Sequence, residues 1–354
     1  MKTQRQNFTN LKNSKVVNRI FKNALVIVVL ASLVSCINDK DEVLVPQPDG
    51  IALTERFNDN RENAVEEFIL DAATGGIITG SQGTKVTFQP NSFGLNGTPV
   101  TGNVTVKLIE IYDKASMLLK NKSTLGQRVN GDKEALKSAG EFFINAEQGA
   151  NGLELLEMAN VQSRPVDFVD LDGGMQVFRA NGDGIDNDCD GIDATCDWVE
   201  ADEDGNGEND GVQVKDGQGG TAGGEFATYN YNIGTFGWTN LDRWYSYTGP
   251  KTQIFVDVPA EFNQDNCAVY LSYDGEPTAL ARMDTWSSTL EMFTEHYGLI
   301  PVGLEVHIIM VAEIDGQLNY AIQGTTIVED HIEVITNLSP ITQAALETLI
   351  NGLP

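Results

Sequence analysis

Residues 304–328 read LEVHIIMVAEIDGQLNYAIQGTTIV, and this stretch decides the fold class. Every even position from Leu304 to Ala312 is apolar, which is the pattern of a strand with one buried face. Asp315-Gly316 follows, a dipeptide typical of the primed turns of β-hairpins, and the apolar pattern resumes at Leu318. We therefore predict a β-hairpin with Asp315 and Gly316 at its turn.

The same two-residue period, punctuated by glycine, recurs over most of the chain before this hairpin. At Ile109-Glu110-Ile111 the phase of the alternation flips, which predicts a β-bulge. Many short strands with little helix favour a mainly β fold, with two β-sandwich-like domains, a long acidic loop insertion and a short C-terminal helix. The candidate strands are 85–88, 103–108, 141–146, 175–179 and 253–258.

The predicted C-terminal helix follows Pro340, which suits a first turn. Ser339 or Thr342 can cap its N-terminus, and Asn351-Gly352 ends it. The apolar positions that share one face are Ile341, Ala345, Leu346 and Leu349.

The N-terminus has the pattern of an export signal. Residues 1–35 contain six basic residues and no acid, and 24–34 are almost all apolar. This apolar run is shorter than the roughly 20 residues that cross a bilayer comfortably. Leu33-Val34-Ser35-Cys36 resembles the lipobox of bacterial lipoproteins, which implies cleavage before Cys36 and lipid on its sulfur. The alternative is a single transmembrane anchor with an incidental cysteine.

Residues 36–64 are predicted to be a tether, because they are polar, contain Pro46 and Pro48, and lack a sustained period. Lys40-Asp41-Glu42 resembles the signal that sends some Bacteroidota lipoproteins to the outer face of the outer membrane. That resemblance implies a surface location rather than a periplasmic one. The predicted organisation is a signal peptide at 1–35, the tether at 36–64, an N-terminal β domain at 65–164 and a C-terminal β domain at 165–354.

The formal net charge is −28 at pH 7, and the signal segment carries part of the positive charge. A surface this negative repels nucleic acid and anionic lipid headgroups and attracts cations. The charge therefore argues against a nucleic-acid partner. A well-solvated extracellular protein would have the same composition without a cation site.

Residues 181–216 are the acidic loop, with thirteen acids and one base, Lys215. Two registers in it have oxygen-bearing side chains at alternating positions with glycine at the sixth, as calcium loops do. All candidate ligands are oxygen, which favours calcium over zinc or copper. A solvated acidic loop without metal is the alternative. The predicted metal ligands are Asp186, Asp188, Asp190, Asp193, Asp197, Asp202, Asp204, Asn206 and Asp210.

The register that starts at Asp202 resembles the thrombospondin type 3 calcium repeat, D-x-D-x-N-G-x-x-D. The register that starts at Asp186 resembles a short aspartate-cysteine motif of secreted bacterial proteins that is described as metal-binding. Neither register has the glutamate of an EF-hand at position 12, where Asp197 and Gln213 stand instead. The missing bidentate ligand predicts a dissociation constant of roughly 0.1–1 mM.

Cys189 and Cys196 lie inside the acidic loop, and an oxidising compartment favours a disulfide between them. Thiolate metal ligation is the rival interpretation, but no histidine lies nearby. Cys267 stands beside the apolar stretch 268–271 and is predicted to be a buried, inert thiol.

Two further resemblances concern the β domains. Thr74-Gly75-Gly76, Gly83 and 90–93 resemble the opening of ZU5-like domains, whose members elsewhere serve in protein–protein contact. Segments 71–76, 237–243 and 299–304 resemble a group of uncharacterised Bacteroidota lipoproteins. These resemblances imply fold and location, with no activity attached.

Catalysis has little support in the sequence. The three histidines lack metal-pair spacing, and no nucleophile-elbow, zinc-protease or phosphate-loop motif occurs. The aromatic cluster Trp238, Trp244, Tyr245 and Tyr247 suits a sugar-stacking platform, but aromatics beside a strand end more often fill the core. We therefore predict a non-enzymatic binding or structural role with a protein or glycan ligand that the sequence does not identify. A surface hydrolase or glycan-uptake accessory protein is the alternative.

Overall fold

A computed structural model describes residues 47–164, 171–181, 197–202, 205–208, 210–215, 227–295 and 299–354. The described residues form a mainly β fold with three helices, as the alternation predicts. The helices are α1 (Gly50–Glu62), α2 (Lys114–Leu119) and α3 (Gln343–Asn351). Among the described residues, no helix combines the length and the apolar character needed to cross a membrane.

The strands are mostly short, and they assemble into several sheets. In chain order the strands are β1 (Glu66–Asp71), β2 (Gly76–Thr79), β3 (Lys85–Phe88), β4 (Phe93–Leu95), β5 (Thr98–Pro99), β6 (Asn103–Ile111), β7 (Leu125–Gln127), β8 (Lys133–Gln148), β9 (Asn151–Gly152), β10 (Glu154–Leu155), β11 (Ala159–Ser163), β12 (Gln176–Asn181), β13 (Asp197–Glu200) and β14 (Gln213–Lys215). They continue with β15 (Thr228–Ile233), β16 (Gly237–Trp244), β17 (Lys251–Thr252), β18 (Ile254–Asp257), β19 (Ala268–Tyr273), β20 (Leu280–Arg282), β21 (Thr285–Ser287), β22 (Met292–Thr294), β23 (Ile300–Pro301), β24 (Glu305–Ile314), β25 (Gln317–Thr326), β26 (His331–Val334) and β27 (Ser339–Pro340).

The predicted hairpin is present as β24 and β25, paired in regular antiparallel register along ten residues each. Ile314 stands opposite Gln317, so the loop consists of Asp315 and Gly316 alone. Both loop residues have positive φ, at 52° and 73°. That geometry is a primed turn, which confirms the prediction from Asp-Gly.

The N-terminal sandwich consists of two sheets that face each other. Its larger sheet has the order β1-β6-β8-β16-β12-β13-β7, and its smaller sheet has the order β14-β15-β11-β3-β2. Apolar side chains of both sheets pack between them; among them Val106, Phe142, Val161 and Tyr229 have no exposed surface.

Strand β7 closes part of the larger sheet on itself. It pairs antiparallel with the start of β8, and Gly126 also pairs in parallel with Trp198 of β13. Gly126 suits this crowded position, because a Cβ there would lie 2.9 Å from side-chain atoms of Leu136 and Trp244. Strand β13, which lies within the acidic segment 181–216, is therefore held along both edges.

The C-terminal sandwich is built from the hairpin outward. One sheet has the order β20-β19-β24-β25-β27, and the other has the order β21-β22-β18-β26. Apolar side chains such as Val256, Val269 and Ile308 fill the space between them.

A middle core joins the two sandwiches. It contains side chains from the larger N-terminal sheet, from the sheet that holds the hairpin, and from all three helices. Ile109, Phe143 and Trp238 contribute from the first sheet, and Tyr270 and Ile309 from the second. Both of these sheets are therefore covered on both faces.

The larger N-terminal sheet is covered on both faces, and this explains why the apolar alternation changes phase at 109–111. The predicted bulge at this place is wrong. Strand β6 pairs with β1 and with β8 without a register shift. Val106 and Leu108 face the N-terminal core, whereas Ile109 and Ile111 face the middle core. The side chains alternate regularly, and only the covered face changes along the strand.

Helix α1 lies inside the segment predicted as a tether. Asp49 caps it by accepting the Ala52 N–H at 3.0 Å, and Leu53 and Phe57, four residues apart, are buried in the middle core. The Asp49 N–H donates to the Glu313 carbonyl at 2.8 Å, which ties the start of α1 to β24. From residue 48 onward this segment is therefore a packed part of the fold, which corrects the tether prediction there. Residues 36–46 lie outside the described part of the chain.

The predicted boundary between residues 164 and 165 falls within one sheet. Strands β12, β13 and β16, from the second predicted domain, hydrogen-bond into the sheet that holds β1, β6 and β8. Within the described chain, the strands from β17 onward pair only among themselves, so the division between sheets falls after Trp244.

The C-terminal helix α3 has the predicted caps. The Thr342 hydroxyl accepts the Ala345 N–H at 3.3 Å, and Gly352 follows the last turn. Leu346 and Ile350 are buried, while Leu349 is 43 % exposed. Pro340 belongs to strand β27 rather than to the first turn.

Candidate functional site

The acidic segment contains strands β13 and β14, so it is only partly the predicted loop. Between these strands lie the described residues 202, 205–208 and 210, here called the acidic turn, and backbone hydrogen bonds hold its base. The Asp210 N–H donates to the Ala201 carbonyl at 2.8 Å, and the Val177 N–H donates to the Asp210 carbonyl at 3.1 Å. Both ends of this acidic turn are thereby fastened to β12.

Within the acidic turn the backbone curls around one carboxylate. Asp202 accepts the Asn206 N–H at 2.9 Å through Oδ1 and the Gly207 N–H at 2.8 Å through Oδ2. The Asn206 side-chain oxygen accepts the Glu208 N–H at 2.7 Å. Gly205 and Gly207 have φ of 69° and 84°, the left-handed conformation that glycine adopts without strain.

This arrangement is chemically suited to a hard cation. Each oxygen of the Asp202 carboxylate has a second lone pair beyond the one that accepts a backbone N–H. Calcium takes oxygen ligands of this kind, both carboxylate and amide. Within the described residues, no group of three His, Cys, Asp or Glu side chains is arranged to hold a metal ion.

The predicted ligands do not all share this location. The acidic turn brings Asp202 and Asn206 together, and Asp210 lies at its base, where its backbone bonds with Ala201 and Val177. Asp197 instead begins β13 and lies 3.0 Å from Lys133 Nζ. Lys133 also pairs with Asp284; burial lowers the pKa of Lys133, but these two acids together outweigh it and raise that pKa above its usual value. Asp197 therefore belongs to an ion-pair cluster at the other end of its strand. The remaining candidates, Asp186, Asp188, Asp190, Asp193 and Asp204, lie outside the described residues, as do Cys36, Cys189 and Cys196.

A second cluster was not predicted from the sequence: two buried carboxyl groups on neighbouring strands. Glu141 lies on β8 opposite Asn240, and Asp242 lies on β16 opposite Ser138. The pairing shifts by one residue between Asn240 and Asp242, which is a β-bulge. Neither carboxyl group has exposed surface.

Few hydrogen bonds satisfy this pair. The Ser138 hydroxyl donates to Asn240 Oδ1 at 2.9 Å, and Asn240 Nδ2 donates to Asp242 Oδ2 at 2.5 Å. Among the described residues, no donor reaches Asp242 Oδ1 or either carboxyl oxygen of Glu141. Ionised carboxylates without donors are costly to bury, so the pair favours protonation.

The pKa values follow from this burial. Burial raises the pKa of Glu141 to about 8, although Lys122 and Lys120 oppose the shift. Burial, and then the charge of Glu141, raise the pKa of Asp242 well above its ordinary value. The pair therefore keeps a proton at neutral pH. Lys122 is itself buried, and its ammonium lies 4.0 Å from the centroid of the Trp238 ring.

No local sequence pattern predicts this pair of carboxyl groups, because the pair depends on a long-range strand pairing. Strand 141–146 was predicted, but its partner lies about a hundred residues further along the chain. The one local indication is an acid within an apolar strand. It does not distinguish a buried carboxyl group from an exposed one, because the sequence does not say which face of the strand is covered.

The two tryptophans of the aromatic cluster fill the core, as aromatics beside a strand end usually do, whereas Tyr245 is only partly buried. Trp238 is 1 % exposed and Trp244 is 9 % exposed, and both belong to the middle core. Trp244 Nε1 donates to Glu200 Oε1 at 2.6 Å, and the Arg128 guanidinium lies 4.0 Å from its ring centroid. Only Tyr247, at 37 %, presents much surface.

Cys267 is a buried free thiol, as predicted. Burial raises its pKa to about 12, and Arg282 opposes that shift. A thiol with this pKa stays protonated at neutral pH and is a poor nucleophile.

The chain is matched by no protein-family model and by no curated protein sequence.

Proposed function

We propose that this protein is a lipid-anchored component of a bacterial cell envelope with a non-enzymatic binding or structural role, and that its acidic turn binds calcium. The observation that carries the calcium proposal is the Asp202 carboxylate, which accepts backbone N–H groups from both Asn206 and Gly207.

The pinned base supports a stabilising role for the cation. Ala201 and Asp210 close the acidic turn onto Val177, so a cation held by its side chains would tie together the ends of β12, β13 and β14. It would also offset the repulsion among the acids of this segment. Binding to the folded state alone stabilises that state in proportion to ligand concentration.

The membrane proposal rests on residues 24–36. The apolar run followed by Leu33-Val34-Ser35-Cys36 supports lipidation of Cys36, and Lys40-Asp41-Glu42 supports the outer face of the outer membrane. The strongly acidic composition supports an exposed, cation-rich setting, and it argues against nucleic acid as a partner.

The alternative, a surface hydrolase or glycan-uptake accessory, draws on one observation, the neighbouring carboxyls of Glu141 and Asp242. Both are fully buried, and the strands that carry them pair with one another over most of their length. A glycosidase needs its two carboxyl groups on either side of a bound sugar. The buried pair therefore supports the structural role better than the catalytic one.

Membrane fractionation of cells that produce the full chain tests the anchor. We expect the unaltered protein in the membrane fraction, and a Cys36→Ala variant either uncleaved or released. A Cys36→Ala protein that was cleaved at the same place and still sedimented with membranes would contradict lipid anchoring. Equilibrium dialysis against calcium-45 tests the acidic turn separately, with an expected dissociation constant of roughly 0.1–1 mM.

A further inference from the structure

Helix α1 lines part of a cavity of about 260 Å³ with two rows of residues. Gly50, Thr54 and Asn58 form one row, and Leu53, Phe57 and Arg61 form the other, each with a spacing of four residues. Residues of the 264–268 loop and strand, Asn121 after α2, and Arg282 of β20 complete the wall. The cavity thus lies where α1 meets the C-terminal sandwich.

Two guanidinium groups face this space in a chain where acids outnumber bases by 51 to 23. Arg61 is 2 % exposed and is held in place, because its NH1 donates to the Lys120 carbonyl at 2.6 Å and its NH2 donates to Asn58 Oδ1. The charges of Arg61 and Arg282 both reach the buried Tyr270 hydroxyl, where they oppose the effect of burial on its pKa.

Arg282 is half-buried, and no described residue accepts a hydrogen bond from its side chain or forms an ion pair with it. A half-buried guanidinium usually has an acceptor, because its N–H groups lose part of their hydration. The acids that pair with Arg56, Arg128 and Arg243 show how the other arginines meet this need. Arg282 is therefore a donor that faces the cavity and lacks an acceptor in the described part of the chain.

Asn58 and Asn121 add further hydrogen-bond donors to the wall of the cavity. Asn58 Oδ1 accepts from Arg61, and Asn121 Oδ1 accepts the Tyr270 hydroxyl at 2.7 Å. Since each amide oxygen is already engaged, each amide NH₂ is the end left to donate. The one acid of the wall is Asp265, whose side chain is exposed.

We propose that this cavity binds a small monocarboxylate with a short apolar tail. The planar fork of Arg282 matches the two oxygens of a carboxylate, and the amides of Asn58 and Asn121 supply further donors. Leu53, Phe57 and Ala268 form an apolar wall that suits a short alkyl chain. The volume accommodates a molecule of a few carbons, and the site is independent of the calcium turn.

Calorimetric titration of the full chain with sodium butyrate tests this site, with sodium chloride at matched ionic strength as the blank. We expect saturable binding that weakens at least about tenfold in Arg282→Gln. Arg282→Lys keeps the charge without the fork and should fall between the two. Thr54→Phe keeps both arginines but fills the cavity, and it should also weaken binding. Lys85→Gln, which makes the same charge change on a distant exposed strand residue, should bind as the unaltered chain does.

Three results would overturn the proposal. The first is the absence of saturable butyrate binding up to about 50 mM, a concentration that detects even weak sites. The second is a butyrate affinity equal to that of the unaltered chain in both Arg282→Gln and Arg282→Lys, provided that circular dichroism shows both variants to be folded. The third is a preference for butylammonium or inorganic phosphate over butyrate, which would mean that the site selects a different charge or a different anion.

Discussion

Glu141 and Asp242 occupy neighbouring strands with both carboxyl groups fully buried and with only one of their four oxygens hydrogen-bonded within the described chain. The pair sits on the face of the larger sheet toward the middle core, beside Trp238. Protonation makes this burial tolerable, so the free energy of unfolding should depend on pH.

We predict that the free energy of unfolding falls as pH rises from about 5 to about 8. The pKa of Glu141 is about 8 in the folded chain against 4.5 when exposed, so in this window only the unfolded state has released the proton. The loss is at most about 1.4 kcal/mol per pH unit for one proton. Denaturant unfolding across this range in Glu141→Gln should show a flatter dependence, because an amide does not ionise. An unchanged slope in that variant would assign the pH dependence to other groups.

We predict that Phe57→Ala destabilises the protein by about 3–5 kcal/mol, because the ring is buried in the middle core. Glu55→Ala, an exposed position on the same helix, should change stability by less than about 0.5 kcal/mol. Urea unfolding of both variants makes the comparison. Equal effects would mean that α1 is a tether after all.

We predict that Gly316→Ala costs about 1 kcal/mol, since Gly316 has φ of 73° in the hairpin turn. The cost is conformational, because a Cβ there would meet nothing within 4 Å. Asp315→Gly, at the other positive-φ position, should be nearly neutral by the same measurement. A large loss in Asp315→Gly with none in Gly316→Ala would exclude a primed turn.

These residues also show what a single sequence can reveal. The hairpin was predictable because its period and its turn are local, and Asp315-Gly316 admits few other structures. The acidic turn was predictable in part, because Asp202 and Asn206 are brought together. Asp197 instead pairs with Lys133, which lies on a strand more than sixty residues earlier in the chain. Helix α1 was missed because its buried stripe is short and ends in Arg61. The change of phase in β6 was interpreted wrongly as a bulge. It arises because the strand faces one core up to Leu108 and a second core, on the other face of the sheet, from Ile109.

We predict that Asp197→Asn leaves calcium affinity within about twofold of the unaltered chain, because Asp197 contacts Lys133 rather than the acidic turn. It should instead lower stability by up to about 1 kcal/mol through loss of a partly exposed ion pair. Equilibrium dialysis against calcium-45 gives the affinity. A loss of binding as large as that of Asp202→Asn would place Asp197 among the ligands.

Thermal unfolding of the full chain, first with EDTA and then with about 0.01–10 mM calcium, tests the central claim most directly. We expect a reversible rise in the midpoint that grows with calcium and is abolished by Asp202→Asn, while Asp197→Asn retains it. No shift across this range, or an equal shift in Asp202→Asn, would contradict the claim that the acidic turn binds calcium.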